Sequence, residues 1–419
     1  MKIKMNPAKM KALVQSVKPA RGGDVHEFIQ SFYCLAADKN TFRIAAYNDV
    51  IGIERICQCF TEREGRICIP GSVLEELLRD ISKFKGIEEI TLTVDHDSAK
   101  LSWESGGSIN ERLIPELKSA DQFPNYALEK PILALTIERH KMLGLLNAVL
   151  CMANSSKYLT QENDCIFFEF KENTAFAGAT DIETGDGCVG IALTSHDSVV
   201  PIHFALTSSA STMLLDLLKN SSGNEVHIYI NDSNQGVIDP KSFDTHQKAM
   251  FQADGFNMVC PLLSVKTPKN IAGFKDSLPN RSAKVVNLKQ LEEGVTMAAS
   301  ISKDPVLQDC VRFTFTFDEL TIRAALATSS EIFKKSIPCK SNFEGEIIVN
   351  ADQLKLVFES IATEYVEVGV LEDNSFMTFV SKILQKEELS ILQKYFIPSS
   401  DQKFTDFTEP KKRSKKIKT

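Results

Sequence analysis

The chain has 419 residues, 43% of them hydrophobic and 25% charged, with a formal net charge of −7 at pH 7. No uninterrupted apolar run approaches the roughly 20 residues that a bilayer-spanning helix takes, and no apolar core follows the positively charged opening Met1-Lys2-Ile3-Lys4-Met5. A membrane protein and a secretory leader are thereby excluded and a cytoplasmic protein is expected, while ten cysteines without paired spacing point to buried thiols, not to a disulfide framework or a zinc site.

The first predicted element is an amphipathic helix with Met10, Leu13, Val14 and Val17 on one face. Apolar positions at i, i+3, i+4 and i+7 mark such a helix, and period-two alternation between turn residues marks a half-buried antiparallel strand. A strand ending at Pro70 leads into a helix predicted over Gly71 to Lys85, with Val73, Leu74, Leu77, Leu78 and Ile81 inward. The alternating run Glu89 to Val94 follows, then the turn Asp95-His96-Asp97 and a return strand around Lys100 to Trp103. The same series recurs: the helix stripe Met142, Leu145, Leu146, Val149; the strand Pro201 to Leu206; a helix with Met213, Leu214, Leu217 and Leu218; the strand Glu225 to Ile230; and, past Asn231-Asp232, Val237-Ile238. It recurs once more with Leu288, Leu291, Val295 and Ala298, the strand Glu346 to Val349, a helix with Leu354, Val357 and Phe358, the strand Tyr365 to Val370, the turn Asp373-Asn374, and Met377 to Val380. Leu74, Leu214 and Leu354 hold the same place in each copy, 140 residues apart. A solenoid repeats every roughly 20 to 50 residues, so the period predicts three similar α+β domains, each with helices packed on antiparallel sheets and each large enough for its own core.

Charge is uneven. Lys411 to Thr419 holds six Lys or Arg, so removing those six from −7 leaves −13 on the rest. An acidic body can still handle nucleic acid if its positive charge is confined to one surface. Lys11 and Lys18 lie away from the first apolar stripe, Arg79 and Lys83 lie opposite the second, and Lys219 lies opposite Met213, Leu214, Leu217 and Leu218. In the third copy Glu293 and Glu359 share the polar faces with Lys289 and Lys355. These are either ordinary solvated faces or a repeated phosphate-facing surface, and the repetition is what favours the second.

Catalytic patterns are weak. Gly185-x-Gly187-x-x-Gly190 has the spacing of a dinucleotide loop, but Ile191-Ala192-Leu193 continues as strand and no acid follows about 20 residues on. Asp181-x-Glu183 and Asp95-His96-Asp97 read as turn chemistry before they read as cation ligands. The seven histidines are dispersed, and neither a phosphate-loop lysine motif, a His-Glu-x-x-His helix nor a nucleophile elbow occurs. The expectation is a binding or scaffolding protein without catalysis, cofactor or metal.

The chain resembles the bacterial sliding clamp, the beta subunit of DNA polymerase III. The residues carrying the likeness are Met1-Lys2-Ile3 before the Met10-Leu13-Val14 helix, Ile67 to Leu78, Ser119-Ala120-Asp121-Gln122-Phe123-Pro124-Asn125, Ala179-Thr180-Asp181, Pro268, Leu278-Pro279, Gly345 to Asn350, and Tyr395-Phe396-Ile397-Pro398. The resemblance spans residues 1 to about 400 and implies a DNA clamp fold with domains at 1–128, 129–281 and 282–400, followed by a disordered basic tail at 401–419. It further implies a head-to-tail homodimer closing into a ring around duplex DNA, with helices lining the hole. Lys11, Lys18, Arg79, Lys83 and Lys219 would face the duplex without reading sequence. Ile109 and Ile301 would lie at the dimer contact. The replicative polymerase and the clamp loader would dock short linear motifs in an apolar pocket between domains two and three, carried over here to Thr180, Pro268, Tyr395, Ile397 and Pro398. Two stretches depart from the family pattern: Ile182-Glu183-Thr184 stands where Gly-His-Arg is usual, and Tyr47-Asn48-Asp49-Val50 where Thr-Asp-Leu-Glu is usual. The reading left beside the clamp is a tandem α+β enzyme or small-molecule binder using the Asp181 to Gly190 loop.

Overall fold

The computed structural model describes residues 1–23, 29–95, 98–154, 164–171, 173–181, 187–196, 201–231, 248–263, 267–277, 279–301, 310–324, 333–385 and 388–399. Seven α-helices lie among them: α1 (Pro7–Val17), α2 (Gly71–Ile81), α3 (Arg139–Asn154), α4 (Ser208–Lys219), α5 (Lys269–Phe274), α6 (Leu288–Ile301) and α7 (Ala351–Ser360). None of these is long and apolar enough to cross a membrane.

The helices begin where local chemistry supplies caps. Asn6 accepts hydrogen bonds from the Ala8 and Lys9 amides ahead of Pro7 at the first turn of α1, Thr207 accepts from Ala210 in α4, and Asn350 accepts from Asp352 and Gln353 in α7. Each cap satisfies amides that the first turn leaves unpaired. The predicted stripes are buried in α1 (Met10, Leu13, Val14 and Val17) and α3 (Met142, Leu145, Leu146 and Val149), and in α6 Leu291, Val295 and Ala298 are buried while Leu288, at the helix's first position, is half-buried. Leu74, Leu214 and Leu354 are each fully buried. Each also follows a strand that runs straight into its helix: Gly65–Pro70 into α2, Ile202–Thr207 into α4, Gly345–Asn350 into α7.

One helix ends earlier than its pattern predicts. α2 stops at Ile81, four residues short of Lys85. Lys83 and Phe84 bond back three residues, to Asp80 and Ile81, and Gly86 takes a positive φ of 82°, a conformation open to glycine. Tightening to i→i+3 bonds and a left-handed glycine end a helix whatever its wheel suggests. Lys83 therefore sits on the turn after α2.

The described residues form two compact units. The first takes Met1–Leu150, Asp164–Ala177 and Ser195–Lys266. It holds an antiparallel sheet of eight strands in the order Pro131–Glu138, Glu225–Asn231, Lys248–Ala253, Phe256–Pro261, Gly52–Gln58, Thr41–Tyr47, Phe32–Asp38, Gly65–Pro70. Strands far apart in sequence meet inside it, with Met258 opposite Ile53. A second sheet runs Phe60–Arg63, Lys2–Met5, Ile90–Asp95, Ser98–Ser105, Ser108–Ile114, and Cys165–Lys171 pairs with Ile202–Thr207. α1 and α2 pack on each other.

The second unit takes the described residues of Cys151–Asn163, Gly178–Thr194 and Thr267–Thr419. Its strands Val189–Thr194, Glu388–Pro398, Phe376–Gln385, Tyr365–Val370, Arg281–Asn287 and Lys340–Ser341 lie side by side, and a four-stranded sheet runs Lys334–Pro338, Glu319–Ala324, Cys310–Phe315, Gly345–Asn350. α6 and α7 pack on each other. The α+β class and the antiparallel pairing read from the sequence are both present.

Candidate nucleic-acid and partner-docking sites

All five basic positions singled out from the sequence fall in the first unit. Lys18, Arg79, Lys83 and Lys219 are exposed and Lys11 is half-buried. Lys18 Nζ lies 2.6 Å from Glu75 Oε2, Arg79 3.9 Å from Glu76, and Lys83 2.8 Å from Asp80. Lys11 donates to Ser82 Oγ at 3.3 Å, and Lys219 closes the last turn of α4. The Lys83 ammonium holds the Asp80 carboxyl below its usual range. The Arg79 and Lys83 pairs are exposed, and pairs of this kind are worth at most about 1 kcal/mol, so a phosphate can exchange with either carboxylate at little cost.

Glu75 differs from those exposed acids. It accepts from the Tyr33 hydroxyl at 2.6 Å and from Lys18, and lies 3.1 Å from Arg21 Nε. Burial pushes its carboxyl up, but Lys18, Tyr33 and Arg21 outweigh burial and hold it below the usual range. Burial and the Glu75 carboxylate raise the Tyr33 hydroxyl. The cluster clamps the start of α2 to the end of α1.

Between α1 and α4 lies a cavity of about 490 Å³ whose lining includes Lys9, Gln15, Arg55, Asp216 and Asn220. Arg55 stands over the Phe256 ring at 5.9 Å. The helical wheels could not find Arg55, because it projects from the strand Gly52–Gln58.

The five positions carried over as a peptide pocket all lie in the second unit, and α5 links most of them. Pro268 starts α5. Asn270 donates to Thr180 Oγ1 at 3.1 Å, and Thr180 donates to the Cys188 carbonyl at 3.0 Å. Phe274 at the far end stacks on Phe396 with centroids 4.4 Å apart and meets Phe376 edge-on at 4.8 Å. Pro398 pairs with Phe376 across the strands, and Lys394 Nζ caps the Lys275 and Ser277 carbonyls behind α5. Thr180, Tyr395 and Ile397 are fully buried, while Pro398 and Phe274 are half-buried. Asn270, Phe274 and Phe376 were not anticipated; α5 has six residues, too few to show a helical period.

Ile109 and Leu113 share one face of the edge strand Ser108–Ile114 and are 77% and 73% exposed. Ile301 is half-buried at the end of α6, one turn beyond the exposed Met297. Of the Asp181 to Gly190 loop, Ile182 to Asp186 lie outside the described residues, as do His96-Asp97, Val237-Ile238, Leu278 and the basic tail. Asp181 itself is half-buried with its carboxyl raised by burial, against hydrogen bonds from Cys188 and Gln353. Gly190 lies in the strand Val189–Thr194. Among the described residues no cluster of three His, Cys, Asp or Glu side chains could hold a metal ion.

No protein-family model and no curated protein matches the chain. Solved structures do. A DNA polymerase III beta subunit from Thermotoga maritima superposes with a TM-score of 0.73 at 14% identity, a DNA polymerase sliding clamp from Pseudomonas aeruginosa with 0.74 at 15%, and the H. pylori beta clamp with 0.71 at 16%. Each match covers 96% of this chain and 100% of the other. The chain has the sliding-clamp fold, as the motif order implied.

Proposed function

We propose that this chain is a non-catalytic processivity clamp: a homodimeric ring around duplex DNA that tethers a replicative polymerase and is opened by a clamp loader in the cytoplasm. The observation supporting this reading is the likeness to sliding clamps along nearly the whole chain, joined to the exposed basic residues on and beside α1, α2 and α4. Lys11, Lys18, Arg79, Lys83 and Lys219 face the phosphates. Loose charge contacts carry no sequence information and let the ring slide, while the acidic remainder keeps DNA off other surfaces.

Partners bind through short linear motifs at the α5 cluster. Thr180 anchors it through Asn270, Pro268 fixes its rim, and Pro398 with Phe274 offers apolar surface to a Leu- or Phe-bearing peptide, while Tyr395 and Ile397 back the same strand from its other face. Ile109 with Leu113, and Ile301 with Met297, are the apolar faces that self-association covers.

DNA contact is tested by salt titration. Replacing Arg79 and Lys219 by alanine is expected to flatten the slope of log affinity against log salt by about 1.8, from about 0.9 per lost phosphate contact. Sequence preference should not change, and an unchanged slope contradicts the assignment of these two residues.

A further inference from the structure

Two cysteines outside the proposed sites meet inside the first unit. Strands Phe32–Asp38 and Gly65–Pro70 run antiparallel with Cys34 directly opposite Cys68. The Cys68 amide donates to the Lys118 carbonyl at 3.0 Å, and its carbonyl accepts from the Lys118 amide at 3.1 Å. In an antiparallel ladder both backbone groups of a residue point to the same side, so those of Cys68 point away from Cys34. The two cysteines are thus a non-hydrogen-bonded pair, the arrangement that brings Cα atoms to about 4.5 Å and side chains closest. A disulfide spans Cα separations of about 4.4 to 6.8 Å. Both thiols are free.

Access is unequal. Cys34, 8% exposed, lines a cavity of about 910 Å³ together with Arg43, Arg66, Glu54 and Tyr126. Cys68 is fully buried. Ala120, Phe123 and Tyr126 pack over the pair. The neighbouring Cys68 thiol eases the Cys34 proton off against the pull of burial, with the Arg66 guanidinium adding to the effect. The neighbouring Cys34 thiol and burial push the Cys68 thiol up. A thiol eased toward thiolate at a cavity wall, with a second thiol in contact, is the layout of a peroxide-reactive cysteine and its resolving partner.

We infer that Cys34 and Cys68 form a peroxide-sensitive dithiol site that closes reversibly to a cross-strand disulfide. The Cys34 thiolate attacks one oxygen of hydrogen peroxide. The O–O bond breaks, that oxygen stays on sulfur as sulfenic acid, and the other leaves as water once protonated. The Cys68 sulfur then attacks the Cys34 sulfur, the S–O bond breaks, and the departing hydroxide takes the Cys68 proton. Two thiols and one peroxide give one disulfide and two waters. The bond would tie Gly65–Pro70, an edge strand that leads straight into α2, to its neighbour, so the redox state of this pair sets the stiffness of the base of α2.

The test treats the full chain with hydrogen peroxide, blocks remaining thiols with an alkylating agent and maps the peptides by mass. Thiols should fall by two of the ten, with Cys34 and Cys68 in one cross-linked peptide that dithiothreitol splits. In Cys68→Ser the cross-link should vanish and dimedone should instead trap a sulfenic acid at Cys34; Cys34→Ser should give neither product. Full alkylation of both cysteines after peroxide, or a Cys34 cross-link to any other cysteine, overturns the inference. The wild-type map decides this even if a variant fails to fold.

Discussion

Replacing Ile109 and Leu113 by aspartate together is expected to raise the dimer dissociation constant at least about a hundredfold, about 3 kcal/mol. The two side chains project from an edge strand and stand almost fully in water in the single chain. An exposed apolar edge is a template for association, and a subunit contact covering it would leave two carboxylates desolvated and unpaired. Because neither side chain supports the core of its own chain, the thermal midpoint of the separated monomer should stay where it was. Sedimentation velocity over a dilution series reads both species. A double variant that remains dimeric at every concentration where the parent is dimeric removes this strand from the interface.

The second large effect is on stability. Glu75→Gln is expected to cost about 3 kcal/mol at neutral pH, near the lower end for removing one partner of a buried ion pair. The Glu75 side chain is 19% exposed and that of Arg21 9%, so the contact between them is shielded and water replaces little of what the variant loses. The pH dependence carries a definite sign. The Glu75 carboxyl is held below its usual range in the folded chain, so its stabilisation is fully present above the unfolded carboxyl value near about 4.3. It is lost as pH falls through the lower folded value. Urea titrations of parent and variant should therefore be far apart at pH 7 and draw together below about pH 4. A gap that stays constant down to pH 3 would show that the lost packing, not the carboxylate charge, sets the cost.

Much of the fold was legible because it rests on short-range patterns. The stripes of α1, α3 and α6 repeat at the helical period, and the 140-residue spacing of Leu74, Leu214 and Leu354 displays the repeat without any knowledge of pairing. Features set by distant partners were not legible. The end of α2 depends on i→i+3 bonds and on the φ of Gly86. The charge at Lys18 is compensated by Glu75, 57 residues away, which no wheel can reveal. Phe274 acquires a role only because a one-and-a-half-turn helix lays it on Phe376 and Phe396. The Cys34 and Cys68 pair appears only once the register of two strands is known. Of the docking residues carried over by resemblance, Thr180, Pro268 and Pro398 lie beside α5 or its aromatic partners, whereas Tyr395 and Ile397 alternate with Phe396 and face the other side of the strand, where the Tyr395 hydroxyl donates to the Ser360 carbonyl.

The central claim is topological, since a ring holds DNA by enclosing it and not by affinity. Protein loaded by a clamp loader onto nicked circular DNA and passed over a sizing column in high salt should stay with the circle as a dimer. Cutting the circle once should release it within the time of the run. Equal retention on circular and linear DNA, or a monomer that leaves both alike, would contradict the account.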